Sequence, residues 1–318
     1  MNVISLFNGM NTGRQALENV GIKVNKYYSS EIKPYAIELT QHHFPDTIQV
    51  GDVTKWREWD IDWQSIDLIL SGSPCQDLSA AGKRAGINGK KSSLFFTFVE
   101  ILEHVKTVNA NVLFLQENVG SASKLDVGIM SRALGVYPVR INSSLLTAQL
   151  RDRYYWSNIK TRETMFDLVT DIPQPTDRKI MFKDIITDGR VERVKALALL
   201  ESESRAVRSQ DGIKKRADRQ FINMVYVDTD KHVALKMQNN RNNQGSQESL
   251  KHRNKTTGMI TLIQENELVR TVNQIEMERL QGFPDGYTSI LSKSKAGSLL
   301  GDGWTLPVIE YIFKFINK

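Results

Sequence analysis

The chain has 318 residues, a formal charge of +6 and a single cysteine, Cys75, with 40% hydrophobic and 25% charged residues. Those proportions suit a globular chain with room for a sizeable core, and exclude collagen, coiled coil and wholesale disorder. One cysteine excludes an internal disulfide framework and any zinc site built on two or more thiolates.

In chain order, residues 3–7 read as a buried strand, followed by a turn bearing Gly9 and Gly13 and a helix over about 14–20. Residues 27–30 read as a second strand ending at Glu31, and residues 48–50 lead into Gly51-Asp52-Val53. Residues 67–70 form another strand, stopped by Ser71-Gly72-Ser73-Pro74. Residues 95–105 are apolar at helical spacing, and 112–115 read as a strand ending at Gln116-Glu117-Asn118. This strand–helix alternation predicts an α/β fold: a doubly wound, mostly parallel sheet covered on both faces. Such sheets bind their ligands at the carboxyl ends of the strands.

Pro173 and Pro175 mark a change of character. A helical piece is expected through Val191, Val194, Leu197 and Leu200, and a strand over 221–227. Residues 238–246 are too polar for a core and read as an exposed loop, and 308–316 look like a closing helix. Residues 171–260 hold 18 Lys+Arg against 12 Asp+Glu, so this segment carries the whole charge excess and suits a polyanion. The start of the chain lacks the pattern of a signal peptide, and no window approaches the ~20 apolar residues of a membrane span. A reduced, cytoplasmic protein without a membrane partner is expected. His42 and His43 are adjacent and cannot share a helix face, so no metal site is expected.

Four constellations carry chemistry. The first is Phe7-Asn8-Gly9-Met10-Asn11-Thr12-Gly13, where glycines admit a ligand to the backbone and a helix start offers free amides. It lacks the three-glycine dinucleotide spacing. Glu31 and Asp52 strengthen it, because carboxylates at strand ends accept hydrogen bonds from ribose hydroxyls. Together they suggest an adenosine-containing cofactor, although each acid alone is more often a cap or a solvated turn. The second is Gly72-Ser73-Pro74-Cys75-Gln76. A lone cysteine is usually a small buried hydrophobe, but this one stands where an active-site loop belongs and reads as a nucleophile. The third is Glu117-Asn118-Val119, whose carboxyl suits an amidine-like ring nitrogen and amine. The fourth is Arg151-Asp152-Arg153, where two arginines point the same way if the backbone is extended.

These blocks, in this order, resemble the DNA (cytosine-5) methyltransferases. The carboxyl-terminal blocks match as well: Glu278-Arg279-Leu280-Gln281-Gly282-Phe283-Pro284-Asp285 and Gly301-Asp302-Gly303-Trp304-Thr305-Leu306-Pro307-Val308. The resemblance covers about 1–160 and 265–318 and is nearest to the catalytic domain of the animal de novo enzymes. The chain departs from common family patterns at Ser5, Asn8, Asn11-Thr12 and Asp302, which bears on cofactor affinity rather than on the chemistry.

The resemblance implies a class I S-adenosylmethionine-dependent methyltransferase fold. Residues 1–165 and 266–318 would form the catalytic and cofactor-binding domain, and 166–265 the target-recognition domain. It implies S-adenosyl-L-methionine as cofactor, cradled by Phe7, Asn8, Gly9, Met10, Thr12, Glu31, Ile32, Asp52, Val53, Pro74, Asp302, Gly303 and Trp304. Cys75 would add to carbon 6 of cytosine, Glu117 would hold the ring nitrogen and amine, and Arg151 and Arg153 would position the base and favour the thiolate. The base must leave the duplex first. Ser79, Lys83 and Arg84 would close over it, with Asn239, Asn240, Arg241, Asn242 and Gln244 reading base edges and Lys214-Lys215-Arg216 contacting phosphates. The expected partner is double-stranded DNA, and a bacterial or phage-encoded enzyme is expected. The sequence assigns no oligomeric state.

Two other functions compete. A tRNA cytosine-5 methyltransferase of the same fold carries a Cys-Phe-Thr segment, which a chain whose one cysteine is Cys75 cannot contain. A non-catalytic DNA-binding regulatory homologue usually loses catalytic-block residues, which survive here. A zinc deaminase is excluded because its paired cysteines are missing.

Overall fold

The computed structural model describes residues 1–74, 94–200, 222–228, 261–264 and 267–316. It divides into two compact units: Met1–Leu146, Arg151–Asp177 and Gly303–Lys318 form the first, Thr147–Leu150 and Arg178–Asp302 the second. The expected target-recognition span, 166–265, has different borders, and residues up to Asp302 group with the second unit.

The strands are β1 (Asn2–Leu6), β2 (Lys26–Ser30), β3 (Ile48–Gln49), β4 (Leu68–Ser71), β5 (Leu113–Val119), β6 (Val139–Asn142) and β7 (Gln149–Leu150). They continue with β8 (Asp152–Ser157), β9 (Thr161–Glu163), β10 (Leu168–Thr170), β11 (Ala196–Leu197), β12 (Met224–Asp228), β13 (Thr261–Gln264) and β14 (Glu267–Thr271). The helices are α1 (Thr12–Asn19), α2 (Pro34–His43), α3 (Leu94–Val108), α4 (Lys124–Leu134), α5 (Gln274–Gln281), α6 (Lys293–Asp302) and α7 (Leu306–Phe313).

The first unit is built on a seven-stranded sheet in the order β3-β2-β1-β4-β5-β8-β6. Strands β1 to β5 run parallel, while β8 runs antiparallel to both β5 and β6. The sheet is doubly wound, as its alternating side chains show. Ile69 joins a core with Phe98, Ile101, Met130 and Trp156 on one face. Its neighbour Leu70 meets α1 on the other, where a Cβ on Gly13 would lie 2.4 Å from Leu70 Cδ1. Glycine at that point lets α1 lie directly on β4, and α7 packs beside α1. The strand order reverses between β1 and β4, and the crevice at such a reversal is where open α/β sheets bind ligands.

In the second unit, β12, β14 and β13 form an antiparallel sheet, and α5 packs on α6. Asn273 and Glu276 form a capping box at the start of α5. Burial pushes the Glu276 carboxyl up, but donors from Arg270, Thr187 and Asn273 outweigh it and hold the group below the usual carboxylate range.

Two sequence expectations are corrected. No helix forms through Val191–Leu200 spacing; β11 pairs parallel with β7 instead, and the Asn223 side chain accepts from Leu197 N (2.8 Å) and donates to its carbonyl (3.1 Å). Those partners claim the backbone groups a helix would need, and Val194 stays 67% exposed. Strand β5 does not stop at Leu115 but runs through Gln116, Glu117 and Asn118, because antiparallel pairing with β8 continues to Val119↔Arg153.

Candidate active site

The chain after β1 is latched to the end of β2. Asn8 N donates to the Ser30 carbonyl at 3.1 Å, and Gly9 N donates to Glu31 Oε2 at 2.8 Å. Glu31 Oε1 accepts from Ile32 N (2.8 Å) and Lys33 N (2.9 Å), so three backbone amides fix this carboxylate. The Asn8 side chain bridges Thr40 Oγ1 (3.4 Å) and the Tyr27 hydroxyl (3.3 Å). Phe7, Gly9 and Asn11 take left-handed backbone (φ 57°, 59° and 64°). For a residue as bulky as Phe7 this strain is about 1–3 kcal/mol, the kind of strain that clusters at ligand sites. Met10 and Thr12 are buried, whereas Ile32 is 70% exposed beside Glu31. Asn11 is fully buried, yet both polar atoms of its side chain find no hydrogen-bond partner among the described residues.

Asp52 does a local job. Its Oδ1 accepts from Thr54 N and Thr54 Oγ1, both at 2.9 Å, and so caps the 3-10 turn Val53–Glu58. Val53 is buried at the start of that turn.

The polar centre of the first unit lies where β4 ends beside β5. Glu117 Oε1 accepts from Arg153 Nε at 2.8 Å, and Glu117 Oε2 accepts from the Trp304 indole N–H at 3.1 Å. The Glu117 and Arg153 side chains are only 12% and 16% exposed, which makes this a largely desolvated ion pair. Arg153 reaches Glu117 because β5 and β8 pair antiparallel, with Glu117 opposite Tyr155 and Arg153 opposite Val119. On one face of such a pair, residues displaced by two are diagonal neighbours. Burial pushes the Tyr155 phenol far up, and the Glu117 carboxylate adds to that, so the ring stays neutral.

Gln116, fully buried, donates through Nε2 to Ser73 Oγ at 3.0 Å and thereby ties β5 to the chain leaving β4. Pro74 is the last described residue on that path, half-buried. Gly72 allows the Trp304 ring to come close, since a Cβ there would lie 2.7 Å from Trp304 Nε1. Gly72→Ala is expected to force the indole aside and lower stability by about 1–3 kcal/mol, read as a shift of the urea midpoint.

Arg151 is placed differently from Arg153. It is 3% exposed, and its Nη2 donates to the Gly303 carbonyl at 2.8 Å, holding the chain before Trp304 against the start of β8. Asp302 is exposed at the end of α6, in the second unit. Cys75, Ser79, Lys83, Arg84, Lys214, Lys215, Arg216, Asn239, Asn240, Arg241, Asn242 and Gln244 lie outside the described residues. The sequence reading gave no role of its own to Gln116, or to Ser73 within the Gly72–Gln76 block; the signal for them was adjacency to Glu117 and Cys75. It also offered no hint that Trp304 meets Glu117, a contact across 187 positions. Among the described residues, no group of three or more His, Cys, Asp or Glu is poised to hold a metal, and no helix is long and apolar enough to cross a membrane.

Comparison with known proteins bears on the family and the fold. The chain is 37% identical over 120 residues to the type II methyltransferase M.NlaIV of Neisseria lactamica, covering 36% of this chain and 27% of that protein. It is 31% identical over 205 residues to the orphan methyltransferase M.SPRI of Bacillus phage SPR, covering 60% and 43%. It is 25% identical over 336 aligned positions to the type II methyltransferase M1.ScrFI of Lactococcus lactis subsp. cremoris, covering 98% and 76%. The chain therefore spans less than half of the first two of these relatives. Among solved structures, the Entamoeba histolytica methyltransferase EhMeth superposes with a TM-score of 0.62 at 15% identity, covering 100% of this chain and 99% of that one. A DNMT2 structure from Spodoptera frugiperda gives 0.59 at 16% identity, covering 99% of each chain. These two likenesses show the fold. The family model for C-5 cytosine-specific DNA methylase matches residues 1–318 from end to end, and with the sheet order and strand-end residues in place, this chain belongs to the C-5 cytosine-specific DNA methylase family.

Proposed function

We propose that the protein is a DNA (cytosine-5) methyltransferase that works through Cys75 on a cytosine flipped out of duplex DNA. The observation that carries this reading is Glu117: a desolvated carboxylate held by Arg153 and Trp304, on the strand beside the one that leads into Ser73-Pro74-Cys75.

S-adenosyl-L-methionine suits the first unit as cofactor. The Glu31 carboxylate is fixed by three amides and keeps lone pairs for ribose hydroxyls, and exposed Ile32 offers an apolar face for a ring. The unpartnered Asn11 side chain at the start of α1 supplies buried polar groups that lack a protein partner. Phe7, Asn8, Gly9, Met10, Thr12, Val53, Pro74 and Gly303 complete the proposed cradle, with Asp52 and Asp302 more distant in character because one caps a turn and the other ends α6, and with the Trp304 indole N–H turned to Glu117 instead. When bound, the cofactor supplies an electrophilic methyl group and leaves as S-adenosyl-L-homocysteine.

The chain's own residues do the rest. Carbon 5 of cytosine is a poor nucleophile. The Cys75 thiolate adds to carbon 6, and electron density moves through the ring to make carbon 5 enamine-like. Glu117 accepts from the exocyclic amine through one oxygen and shares a proton on the other with the ring nitrogen, where charge develops. Arg153 fixes Glu117, and Arg151 fixes the Gly303 backbone from which Trp304 projects. Once carbon 5 is methylated, loss of its proton expels the Cys75 thiolate and restores the aromatic ring.

Residues 166–265 are assigned to target recognition in this reading, supported by the charge excess of 171–260, and their phosphate contacts would make binding salt-sensitive. The bacterial and phage sources of the relatives support a cytoplasmic enzyme of that origin. The test is a parallel assay of labelled-methyl transfer to duplex DNA and to tRNA. Transfer to DNA cytosine is expected. Transfer to tRNA alone would overturn the substrate, and DNA binding without any transfer would make the protein a regulatory homologue.

A further inference from the structure

The family resemblance sends Trp304 to the cofactor cradle, yet its indole N–H is engaged at Glu117. Its indole N–H donates to Glu117 Oε2 at 3.1 Å, while Arg153 Nε holds Oε1 at 2.8 Å. A carboxylate gripped at both oxygens by donors from separate chain segments cannot rotate about its last bond without losing one of them. The indole is itself constrained. Its ring edge approaches Gly72 so closely that an added Cβ would stand 2.7 Å from Nε1 and 3.3 Å from Cε2. Its backbone follows Gly303, whose carbonyl Arg151 holds at 2.8 Å. The turn leading to Cys75, the Glu117 strand and the carboxyl-terminal block therefore meet at one side chain.

We propose that Trp304 is a positioning residue for Glu117: its N–H, opposite Arg153, sets the carboxylate in place before a base arrives. The inference rests on the reading of Glu117 as the group that holds cytosine. Each oxygen keeps one lone pair beyond the one already used: one can accept from the exocyclic amine, and the other can take the proton it shares with the ring nitrogen, itself an acceptor, so both restraints persist while the base is engaged. Preorganisation of this kind lowers the barrier of the chemical step and leaves ground-state binding largely alone.

Two measurements test it. Trp304→Phe keeps an aromatic ring and removes the donor. It is expected to lower kcat roughly tenfold, while the KM for duplex and the calorimetric Kd for S-adenosylhomocysteine stay within about twofold. In a Glu117→Gln background the same change should cost nothing further, because the effect passes through that carboxylate. The second measurement needs no activity and keeps Trp304 intact. In a 15N-labelled protein, the Trp304 indole N–H signal, assigned by its loss in Trp304→Phe, should move upfield in Glu117→Ala. An indole signal that stays put would overturn the proposal. So would a Trp304→Phe enzyme with unchanged kcat and roughly tenfold weaker S-adenosylhomocysteine binding, since that is the signature of a cofactor contact. If the indole signal moves but the wild-type protein methylates no DNA, the contact stands and the reading of Glu117 falls instead.

Discussion

Cys75→Ala is expected to cut methyl transfer by about 10⁴-fold or more, because losing a covalent nucleophile removes the step on which the rest of the machinery acts. No other thiol can substitute, since the chain has one cysteine. Affinity for duplex DNA should persist, because phosphate contacts from basic residues supply most non-specific binding. Cys75→Ser makes the argument sharper. It keeps the side chain's size, but a hydroxyl is a far weaker nucleophile than a thiolate unless a base activates it, so it should be nearly as inactive as Cys75→Ala. Single-turnover incorporation of labelled methyl groups into duplex DNA measures both variants. Undiminished transfer in Cys75→Ala would sink the covalent route.

Glu117→Gln should lower kcat by roughly 10²–10³-fold, the usual cost of removing one electrostatic stabiliser aimed at developing charge. The structure adds a second effect. Arg153 and Trp304 donate to different oxygens of Glu117, and an amide has only one acceptor atom to offer them. One donor must then face an NH2 group, and Arg153 loses the charge that partners it in a site only 16% exposed. A stability loss of about 1–3 kcal/mol should therefore accompany the loss of rate. Measuring kcat and the urea midpoint together separates the two. If the midpoint falls while kcat drops less than about threefold, Glu117 is a structural ion pair and not part of the chemistry.

Much of this site could be read in the residues before any fold was known. Glu31, Gly72 to Pro74 and Glu117 lie at or near strand ends because a parallel sheet offers its carboxyl edge to ligands, and short apolar runs mark where each strand stops. Hydrophobic periodicity found α1, α3 and α7 for the same reason: each buries a stripe, as with Phe95, Phe98, Leu102 and Val105 in α3. The misreadings share a cause too. Glu117 sits within β5 and not after it, because polar residues are tolerated in a strand once a partner strand supplies their backbone bonds, and its partner in β8, Tyr155, lies far along the chain. The apparent helix near 191–200 fails because Asn223 and β7, both distant in sequence, claim its backbone groups. Local spacing cannot register such long-range pairing.

The roles of Arg151 and Trp304 were the least legible. Both carry functional groups that family resemblance sends toward ligands. Here Arg151 spends a guanidinium nitrogen on the Gly303 carbonyl, and Trp304 spends its N–H on Glu117. Neither choice has a signature in composition, since each depends on where the last fifteen or so residues return to the sheet. Together they tie the carboxyl-terminal segment to β8 and to the Glu117 side chain, the kind of supporting contact that a preorganised site requires.

The most direct test of the account is covalent capture. In a duplex carrying 5-fluorocytosine at the target position, Cys75 can add to carbon 6 and carbon 5 can be methylated. The fluorine cannot leave as the proton does, so the thiolate is not expelled. The account predicts a denaturation-resistant protein–DNA adduct that forms only with S-adenosylmethionine present, maps by mass spectrometry to the peptide containing Cys75, and is absent in Cys75→Ala. Methyl transfer to unmodified DNA with no trapped adduct on the fluorinated duplex, or an adduct mapped to another residue, would contradict it.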